Sequence, residues 1–342
     1  MSPNSLESRR VSLDKAVFVI SLDTELAWGS FDRGGLRAYG PYYSQVRSIV
    51  ERLLVLFRRY GIKATWAIVG HLFLRSCSRQ GEDNHNHVLQ PNYSWYPQGW
   101  LSKDPYSSFD TDPFFYAPDV IKMILRSGDR HEIASHTFTH AILGDPECSR
   151  DVALSQLKEC GRLARAHGVE LTSLVFPRNS IGHLDVLCEL GYVSFRGLER
   201  NWYRRLNPTS VPGRFCRFFD KLMAFTPPCY TEFTCYRRTA AQRWLCDLPA
   251  SMFYPPFGGL WNLVGLSRRV AQAKRGVAQA VSKRALFHLW FHPFNLASSP
   301  LLFEGLEEVL ASIDTQVKAG NLESLTMAET ALHLNSRLES DT

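Results

Sequence analysis

The first fifteen residues, MSPNSLESRRVSLDK, lack the apolar core of a secretory signal peptide. The eight cysteines include no CxxC pair, the spacing most typical of zinc ribbons and of thioredoxin-like redox sites. Without an export signal, cysteines in a chain of this length are expected to be reduced thiols, most of them packing residues. We therefore expect a cytoplasmic location.

The sequence also lacks an unbroken run of about 20 apolar residues, the length that a membrane-spanning helix requires. Residues 248–266 are apolar and aromatic, but prolines and glycines interrupt them, and a basic stretch follows. The combined segment 248–285 has two interpretations. It is either a core-packing loop followed by a solvated helix, or a peripheral contact with the inner face of a membrane.

Long blocks of one charge are missing as well. The net charge is +6, and the lysines and arginines are spread along the 342 residues. This distribution gives no distinct nucleic-acid signal, so no nucleic-acid partner is expected. The hydrophobic content of 45% is that of a globular protein with a large core. Nothing in the sequence indicates an oligomeric state.

What the sequence does contain is a repeated alternation of short apolar runs and amphipathic segments. KAVFVISLD (15–23) predicts a buried strand, residues 44–61 predict a helix that ends at Gly61, and residues 62–70 predict the next strand. Six or more such alternations favour a parallel α/β barrel. We predict a disordered segment at 1–14 and one barrel domain at 15–335. That domain has an aromatic-rich insertion at 75–113, and residues 200–262 are predicted to be irregular.

The segment HEIASHTFTH (131–140) suggests a metal site. His136 and His140 lie four residues apart, and on a helical turn both imidazoles would lie on one face. The metalloprotease motif HExxH does not occur here. In SLDTELAWG, Asp23 and Glu25 follow a strand end, so one acid could ligate a metal while the other takes a proton from water.

Two further candidate residues lie at predicted strand ends. His292, in FHLWFHPFN, is placed to act as a general acid toward a leaving group. Arg178, in FPRNS, is suited to orienting a carboxylate such as Asp23. Five other histidines are expected to pack or to lie at the surface: His71, His85, His87, His167 and His183.

Taken together, these stretches resemble the polysaccharide deacetylases of the NodB-homology type, the family-4 carbohydrate esterases, from about residue 15 to residue 330. GDRHEIASHTFTH (128–140) is the most specific match, and YGIKATWAIVG (60–70) is similar to the strand that follows the first helix in these proteins. The resemblance implies a distorted (β/α) barrel, a metal held by one acid and two histidines, a free aspartate as base and a late-strand histidine as acid.

Carried onto this sequence, the resemblance makes Asp23 the base and His292 the acid. It makes Glu25, His136 and His140 the ligands of a divalent metal ion, with zinc expected. The family's common motif has adjacent aspartates, whereas Thr24 separates the two acids here. FPRNS only approximates the arginine motif, and the aspartate that usually orients the late histidine has no clear match.

The expected function is hydrolytic removal of an N-acyl group, above all N-acetyl, from an amino sugar. Without an export signal, the expected substrate is a polysaccharide or its cytosolic or lipid-linked precursor. Two alternatives remain open. One is a C–N hydrolase that acts on a small cyclic amide such as a ureide, and the other is an inactive carbohydrate-binding protein with the same fold.

Overall fold

A computed structural model describes residues 6–81, 83–200, 203, 210–223 and 225–340. The strands are β1 (Glu7–Ser12), β2 (Ala16–Thr24), β3 (Ala64–Ile68), β4 (Glu132–Ser135), β5 (Ser173–Leu174), β6 (Ser194–Gly197), β7 (Glu232–Arg237), β8 (Leu245–Pro249), β9 (Met252–Phe253), β10 (Leu286–Phe291) and β11 (Leu322–Ser324). The helices are α1 (Gly35–Tyr43), α2 (Val46–Arg59), α3 (Pro118–Arg126), α4 (Arg150–Ala166), α5 (Leu184–Glu189), α6 (Val211–Met223), α7 (Leu266–Lys283), α8 (Leu301–Lys318) and α9 (Met327–Ser340).

The strands form one sheet in the order β1-β7-β8-β6-β5-β4-β3-β2-β10-β9, with β11 also paired to β2. All pairs are parallel except β1–β7 and β7–β8. The predicted α/β class with a parallel sheet is confirmed. Most parallel strands are connected by helices, as the alternation of apolar runs and amphipathic segments predicts.

The segment from β8 to β9 bends the sheet into a distorted ring. β8 pairs with β6, and the Ala250 amide donates to the Gly197 carbonyl on that side. One residue later the Ser251 amide donates to the His288 carbonyl of β10, and β9 continues along that strand. One short segment therefore links both ends of the parallel sheet, although no continuous ladder closes it. The carboxyl ends of the strands come together at one end of this ring.

Burial follows from the sequence of each element. All nine residues of β2 are buried, as expected for a strand covered on both faces. α2 buries all of its apolar positions except Val55 and ends before Gly61, whose φ of 61° favours glycine. α4 begins at Ser149, whose hydroxyl accepts a hydrogen bond from the Val152 amide.

Two regional predictions are wrong. Residues 6–14 were expected to be disordered with the rest of the segment 1–14, but β1 pairs along its whole length with β7; residues 1–5 lie outside the described residues. The region 200–262 was expected to be irregular, yet it contains α6, β7, β8 and β9. Residues 201–202, 204–209 and 224 of that region are not described. The strands β1 and β7 were missed because they are stabilised by pairing with each other rather than by an apolar pattern of their own.

The expectation of reduced thiols is also wrong for one pair. Cys235 and Cys246 are register partners on the antiparallel strands β7 and β8, and they form a disulfide. The other six cysteines are free. Because the two strands adjoin only in the folded sheet, their sequence spacing of 11 gave no indication of the bond.

The insertion at 75–113 crosses the end of the ring as a long loop. Among its described residues the only β-pairing is an isolated bridge between Ser76 and Ser108. Its tryptophan and tyrosine side chains pack against the rest of the domain; Trp100, for example, is only 3% exposed. Within the described parts of the chain, no helix combines the length and apolar character needed to cross a bilayer.

Candidate active site

Two acidic residues lie where β2 ends. Asp23 is the penultimate residue of the strand, and Glu25 precedes a 3₁₀ turn over Leu26–Gly29. Both side chains are buried, at 3% and 7% exposure. Gly29 permits this arrangement, because a Cβ atom at that position would overlap the Glu25 carboxylate group. The local sequence thus folds Glu25 inward beside Asp23.

His136 and His140 follow β4, but they do not lie on a helical turn, so that expectation is wrong. The loop between them is irregular, and Thr137 and His140 adopt positive φ values of 58° and 59°. These conformations are rare for side chains other than glycine and asparagine, and they occur preferentially at functional sites. The two rings nevertheless converge, with centroids 5.0 Å apart. Gly70 and His71, after β3, hold the loop by backbone hydrogen bonds to Thr137 and Phe138.

The three predicted ligands meet around one point. The Glu25 Oε2 atom lies 2.9 Å from His140 Nε2 and 3.4 Å from His136 Nε2. His136 donates its Nδ1 hydrogen to the Val175 carbonyl at 2.7 Å, so a neutral ring carries its lone pair on Nε2. That Nε2 atom is buried without a hydrogen-bond partner among the described residues. An unsatisfied lone pair that faces a carboxylate fits a bound cation, and the acid–His–His set suits a divalent metal.

Asp23 is held by Arg196, not by the predicted Arg178. The Arg196 guanidinium donates to both carboxylate oxygens, from Nη1 to Oδ1 at 2.6 Å and from Nη2 to Oδ2 at 2.7 Å. Burial raises the pKa of Asp23, but the charge and hydrogen bonds of Arg196 and the nearby His136 and His292 outweigh this effect and lower its pKa. Asp23 is therefore ionised and fixed in orientation.

Arg196 extends from β6 across the interior of the ring. It also donates to Ser21 at 3.1 Å and to Asn179 at 3.1 Å, and it lies 4.2 Å from the centre of the Trp290 ring. His288 of β10 is 2.9 Å from the same Ser21 hydroxyl. Sequence reasoning missed this network. A charged residue within the buried strand VSFRG was the available signal, because an arginine there requires a carboxylate partner.

His292 directly follows β10 and faces both acids. Its Nε2 atom lies 3.3 Å from Glu25 Oε1 and 4.0 Å from Asp23 Oδ2. Its side chain is 21% exposed, more than either acid, and it packs against the rings of Trp290 and Phe294. This places an imidazole at the open side of the site, within reach of a group bound there.

Arg178 lies at the rim and contacts other residues than expected. Its guanidinium forms an ion pair with Asp32 and lies 5.1 Å from the centre of the Trp95 ring. Trp95 belongs to the insertion and is 44% exposed. Burial lowers the pKa of Arg178, while the charge of Glu25 opposes this effect. The expectation that Arg178 orients Asp23 fails because the strand position of Arg196 brings that side chain closer.

The groups that converge here can perform hydrolysis. A narrow crevice adjoins Asp23 and Glu25, and Pro293 and Phe294 also line it. Around it lie a fixed carboxylate that can accept a proton, an imidazole that can donate one, and an acid–His–His set that can hold a cation. These three functions come from the ends of β2, β4 and β10, which meet only in the folded sheet.

Comparison with known proteins gives a consistent result. Residues 23–191 match the family model described as polysaccharide deacetylase. No curated protein matches the chain. Among solved structures, one assigned as a polysaccharide deacetylase from Mycobacterium smegmatis has a TM-score of 0.58 at 15% identity and covers 96% of each chain. One from Pseudomonas aeruginosa PAO1 has a TM-score of 0.54 at 11% identity, covering 93% of this chain and 90% of its own.

The Puue allantoinase has a TM-score of 0.53 at 11% identity, covering 94% of this chain and 91% of its own. At such identities the similarity concerns the fold. The predicted α/β fold of the polysaccharide deacetylase type is thereby confirmed.

Proposed function

Because the chain carries a polysaccharide deacetylase domain of the NodB-homology type, we propose that it is a metal-dependent hydrolase that removes an N-acetyl group from an amino sugar. The observation that carries the proposal is the position of Glu25 Oε2, within 3.4 Å of Nε2 of both His136 and His140, with Asp23 held separately by Arg196. Glu25 can therefore ligate a metal ion together with the two histidines, while Asp23 remains outside the ligand set.

Glu25, His136 and His140 would hold the metal ion, and zinc suits a site with two imidazoles and one carboxylate. A divalent ion there would polarise the acyl carbonyl and make water more acidic. Val175 fixes the His136 ring through its carbonyl, as such supporting contacts do in metal sites.

Asp23 acts as the base in this proposal. It accepts a proton from the attacking water as the water oxygen bonds to the acyl carbon. Arg196 is a positioning residue, because it fixes both Asp23 oxygens and does not face the open side of the site. A carboxylate whose pKa is lowered stays ionised over the neutral range and is ready to accept this proton.

His292 acts as the acid. It donates a proton to the amine nitrogen as the C–N bond breaks, so acetate and a free amino group are released. Its greater exposure and its position opposite the buried acids suit contact with a leaving group. Replacement of His292 by glutamine should lower kcat by about 10²–10⁴-fold, the usual contribution of a general acid, without reducing metal content.

The rim suits a sugar substrate. Trp95 is 44% exposed at the rim, where its ring stacks on Tyr93 and lies beside Arg178. The exposed part of this aromatic side chain could contact the apolar face of a sugar ring. We extend the proposal to a polysaccharide or to its cytosolic or lipid-linked precursor. The experiment is an acetate-release screen over N-acetylated oligosaccharides and over nucleotide-linked and lipid-linked amino sugars.

Hydrolysis of a small cyclic amide such as a ureide is the second candidate. Two observations favour it: the crevice beside Asp23 is narrow, and an allantoinase is among the structures that share this fold. The same screen should include ureides, with ring opening measured directly. Turnover of ureides together with no acetate release would replace the first candidate by the second.

Metal analysis separates both enzymes from an inactive carbohydrate-binding protein. In the enzyme, His136→Ala should abolish turnover and lose the ion bound at Glu25, His136 and His140. His333→Ala is a matched control, since His333, on α9, pairs with Asp14 and is not one of these ligands. Full turnover in the His136→Ala protein would refute the mechanism. Sugar binding without turnover in a protein that lacks this ion would support the non-catalytic alternative.

We also propose peripheral membrane contact through 248–285, extended by α6. Exposed apolar side chains come from both regions, with Leu260 and Leu263 at 65% and 64% exposure and Phe215 at 64%. Arg268, on α7, donates from its guanidinium to the Leu222 carbonyl of α6. Apolar side chains beside cations are the combination that binds anionic membrane surfaces.

Flotation with phosphatidylglycerol vesicles at low salt tests this contact. We expect the wild-type chain to float and Phe215→Ser with Leu263→Ser to remain in the bottom fraction. Leu332→Ser is the control, because Leu332 is 43% exposed on α9, another part of the surface. Equal flotation of all three proteins, or of none, would contradict the proposed surface.

A further inference from the structure

A second group of ligand-type side chains lies outside the proposed active site. His71 follows β3, and Cys77, His85 and Asp104 come from the insertion at 75–113 or its border. All four are buried, and their ligand atoms lie within 4.8 Å of one another. We call this group the His71–Asp104 cluster. The sequence predicted packing roles for its two histidines.

The cluster centres on the Asp104 carboxylate. Its Oδ2 atom lies 2.9 Å from His85 Nε2 and 3.6 Å from His71 Nε2, and the Cys77 Sγ atom is 3.6 Å from Oδ1. The His71 and Asp104 side chains have no exposed area. An ionised carboxylate in such a position requires compensating positive charge or hydrogen bonds.

The state of His71 points to what provides that charge. His71 Nδ1 lies 3.1 Å from the Phe115 carbonyl, which can only accept, so Nδ1 carries the hydrogen. In a neutral ring, Nε2 then has a lone pair. This atom is buried and has no hydrogen-bond partner in the part of the chain that the structure describes. It is aimed at the carboxylate, so two electron-rich atoms face each other, an arrangement that a cation between them would stabilise.

The surrounding contacts resemble the outer shell of a metal site. The Phe115 carbonyl orients His71, and the Tyr106 amide donates to Asp104 Oδ1 at 2.9 Å. The Tyr116 hydroxyl lies 3.0 Å from Cys77 Sγ, where it can donate to a thiolate. Two imidazoles, one thiolate and one carboxylate are the donor types that zinc binds tetrahedrally in closed structural sites.

We propose that His71, Cys77, His85 and Asp104 bind a second divalent metal ion, Zn²⁺ by donor type, which fixes the insertion to the barrel. Unlike the site at Glu25, it is enclosed and has four protein ligands, so its role is structural. The insertion in turn supports the active-site loop. Trp100 donates to the Thr139 carbonyl at 2.9 Å, and the Tyr93 hydroxyl bonds the backbone of Ile142.

The sulfur ligand makes the two sites distinguishable by spectroscopy. Thiolate ligation of Co²⁺ produces a charge-transfer absorption in the near ultraviolet, whereas the site at Glu25, His136 and His140 contains no sulfur. The test uses the full-length chain, first for zinc content and then after exchange with Co²⁺. We expect two equivalents of zinc in the wild type and one in His136→Ala, and both cobalt proteins should show the sulfur band.

Substitutions in the cluster should give the opposite pattern. Cys77→Ser should lose the sulfur band while it keeps the ion at Glu25, and Cys188→Ser, another buried free cysteine, should keep both. His85→Gln provides a second variant if Cys77→Ser does not fold. Chelation of the His136→Ala protein should remove its remaining ion and increase proteolytic cleavage within 75–113.

Two results would overturn the inference. One is a wild-type cobalt protein without a sulfur band. The other is a His136→Ala protein that binds no metal, which would show that the cluster is held by hydrogen bonds to a protonated histidine. Neither result affects the proposed hydrolase, which depends on the ion that His136 binds. Conversely, if the chain proves not to be a hydrolase, the sulfur band is still expected, because the cluster does not depend on that activity.

Discussion

Replacing Arg196 by methionine removes the positive charge that compensates Asp23 while roughly preserving side-chain length. Arg196 is 1% exposed and makes two hydrogen bonds to Asp23 and one each to Ser21 and Asn179. Removal of one partner from a buried ion pair costs about 3–5 kcal/mol, because the remaining charge is left in a poorly solvated position. We expect the free energy of unfolding to fall by that amount.

A second substitution tests the reason for this loss. Asp23→Asn added to Arg196→Met removes the uncompensated carboxylate, so the double variant should be more stable than Arg196→Met alone by about 1–3 kcal/mol. If the two substitutions acted independently, their losses of stability would add. An Asp23→Asn substitution that stabilises the Arg196→Met protein is instead the result expected of a charge pair.

The measurement is urea unfolding at pH 7 after treatment with a chelator, so that differences in metal affinity do not contribute. Arg59→Met is the control, because Arg59 is 61% exposed and its surface ion pair with Glu307 should contribute little to stability. If the double variant is less stable than Arg196→Met, or if Arg196→Met resembles the control, the account of Asp23 as a compensated buried charge is wrong.

Two further predictions concern Asp247 and Gly29, which are both partly buried. Burial raises the pKa of Asp247 from 3.8 to about 6, so the native protein retains this proton at a higher pH than the unfolded chain and loses stability as pH rises through that interval. Asp247→Asn should therefore be nearly neutral at pH 4 and more stable than the wild type by about 2–3 kcal/mol at pH 8 in urea unfolding, since each pKa unit corresponds to about 1.4 kcal/mol. Asp110→Asn, at an exposed ion pair, should show no such trend, and a pH-independent difference for Asp247→Asn would contradict the reasoning. Gly29→Ala should displace Glu25 and weaken metal binding about 10–100-fold, as measured by metal titration. Gly40→Ala, which has open space around its Cβ position, should leave the affinity for metal unchanged. Equal affinities in the two variants would contradict the prediction, because they would show that the structure around Gly29 adapts to the added methyl group.

The features that sequence reasoning predicted are those carried by local patterns. The apolar run before Asp23 predicts a buried strand with an acid at its end, and β2 ends one residue later. His136 and His292 likewise follow strands, β4 and β10, that the apolar pattern and residue composition of the sequence identify. Because parallel strand ends gather at one edge, these residues could be expected to meet without any knowledge of the register.

Features that depend on register or on distant partners could not be predicted in this way. Arg196 is placed opposite Asp23 by the pairing of several intervening strands, and no spacing in the sequence encodes that contact. α1 contains Gly40 and Pro41 within nine residues, so its intrinsic helix propensity is low and tertiary contacts must stabilise it. Cys77 and His85 lie in a segment without periodicity, where only the folded loop brings them to His71.

β1 has a consequence for any shortened version of this chain. The family match begins at Asp23, so residues before β2 look dispensable by sequence comparison. Yet β1 covers the outer edge of β7 over six register pairs, and its Val11 side chain is buried. A protein that started at Ala16 would expose the backbone donors and acceptors of β7 along that edge. Unpaired edges of this kind recruit strands from other molecules, so truncation there would favour self-association over a smaller, well-behaved domain.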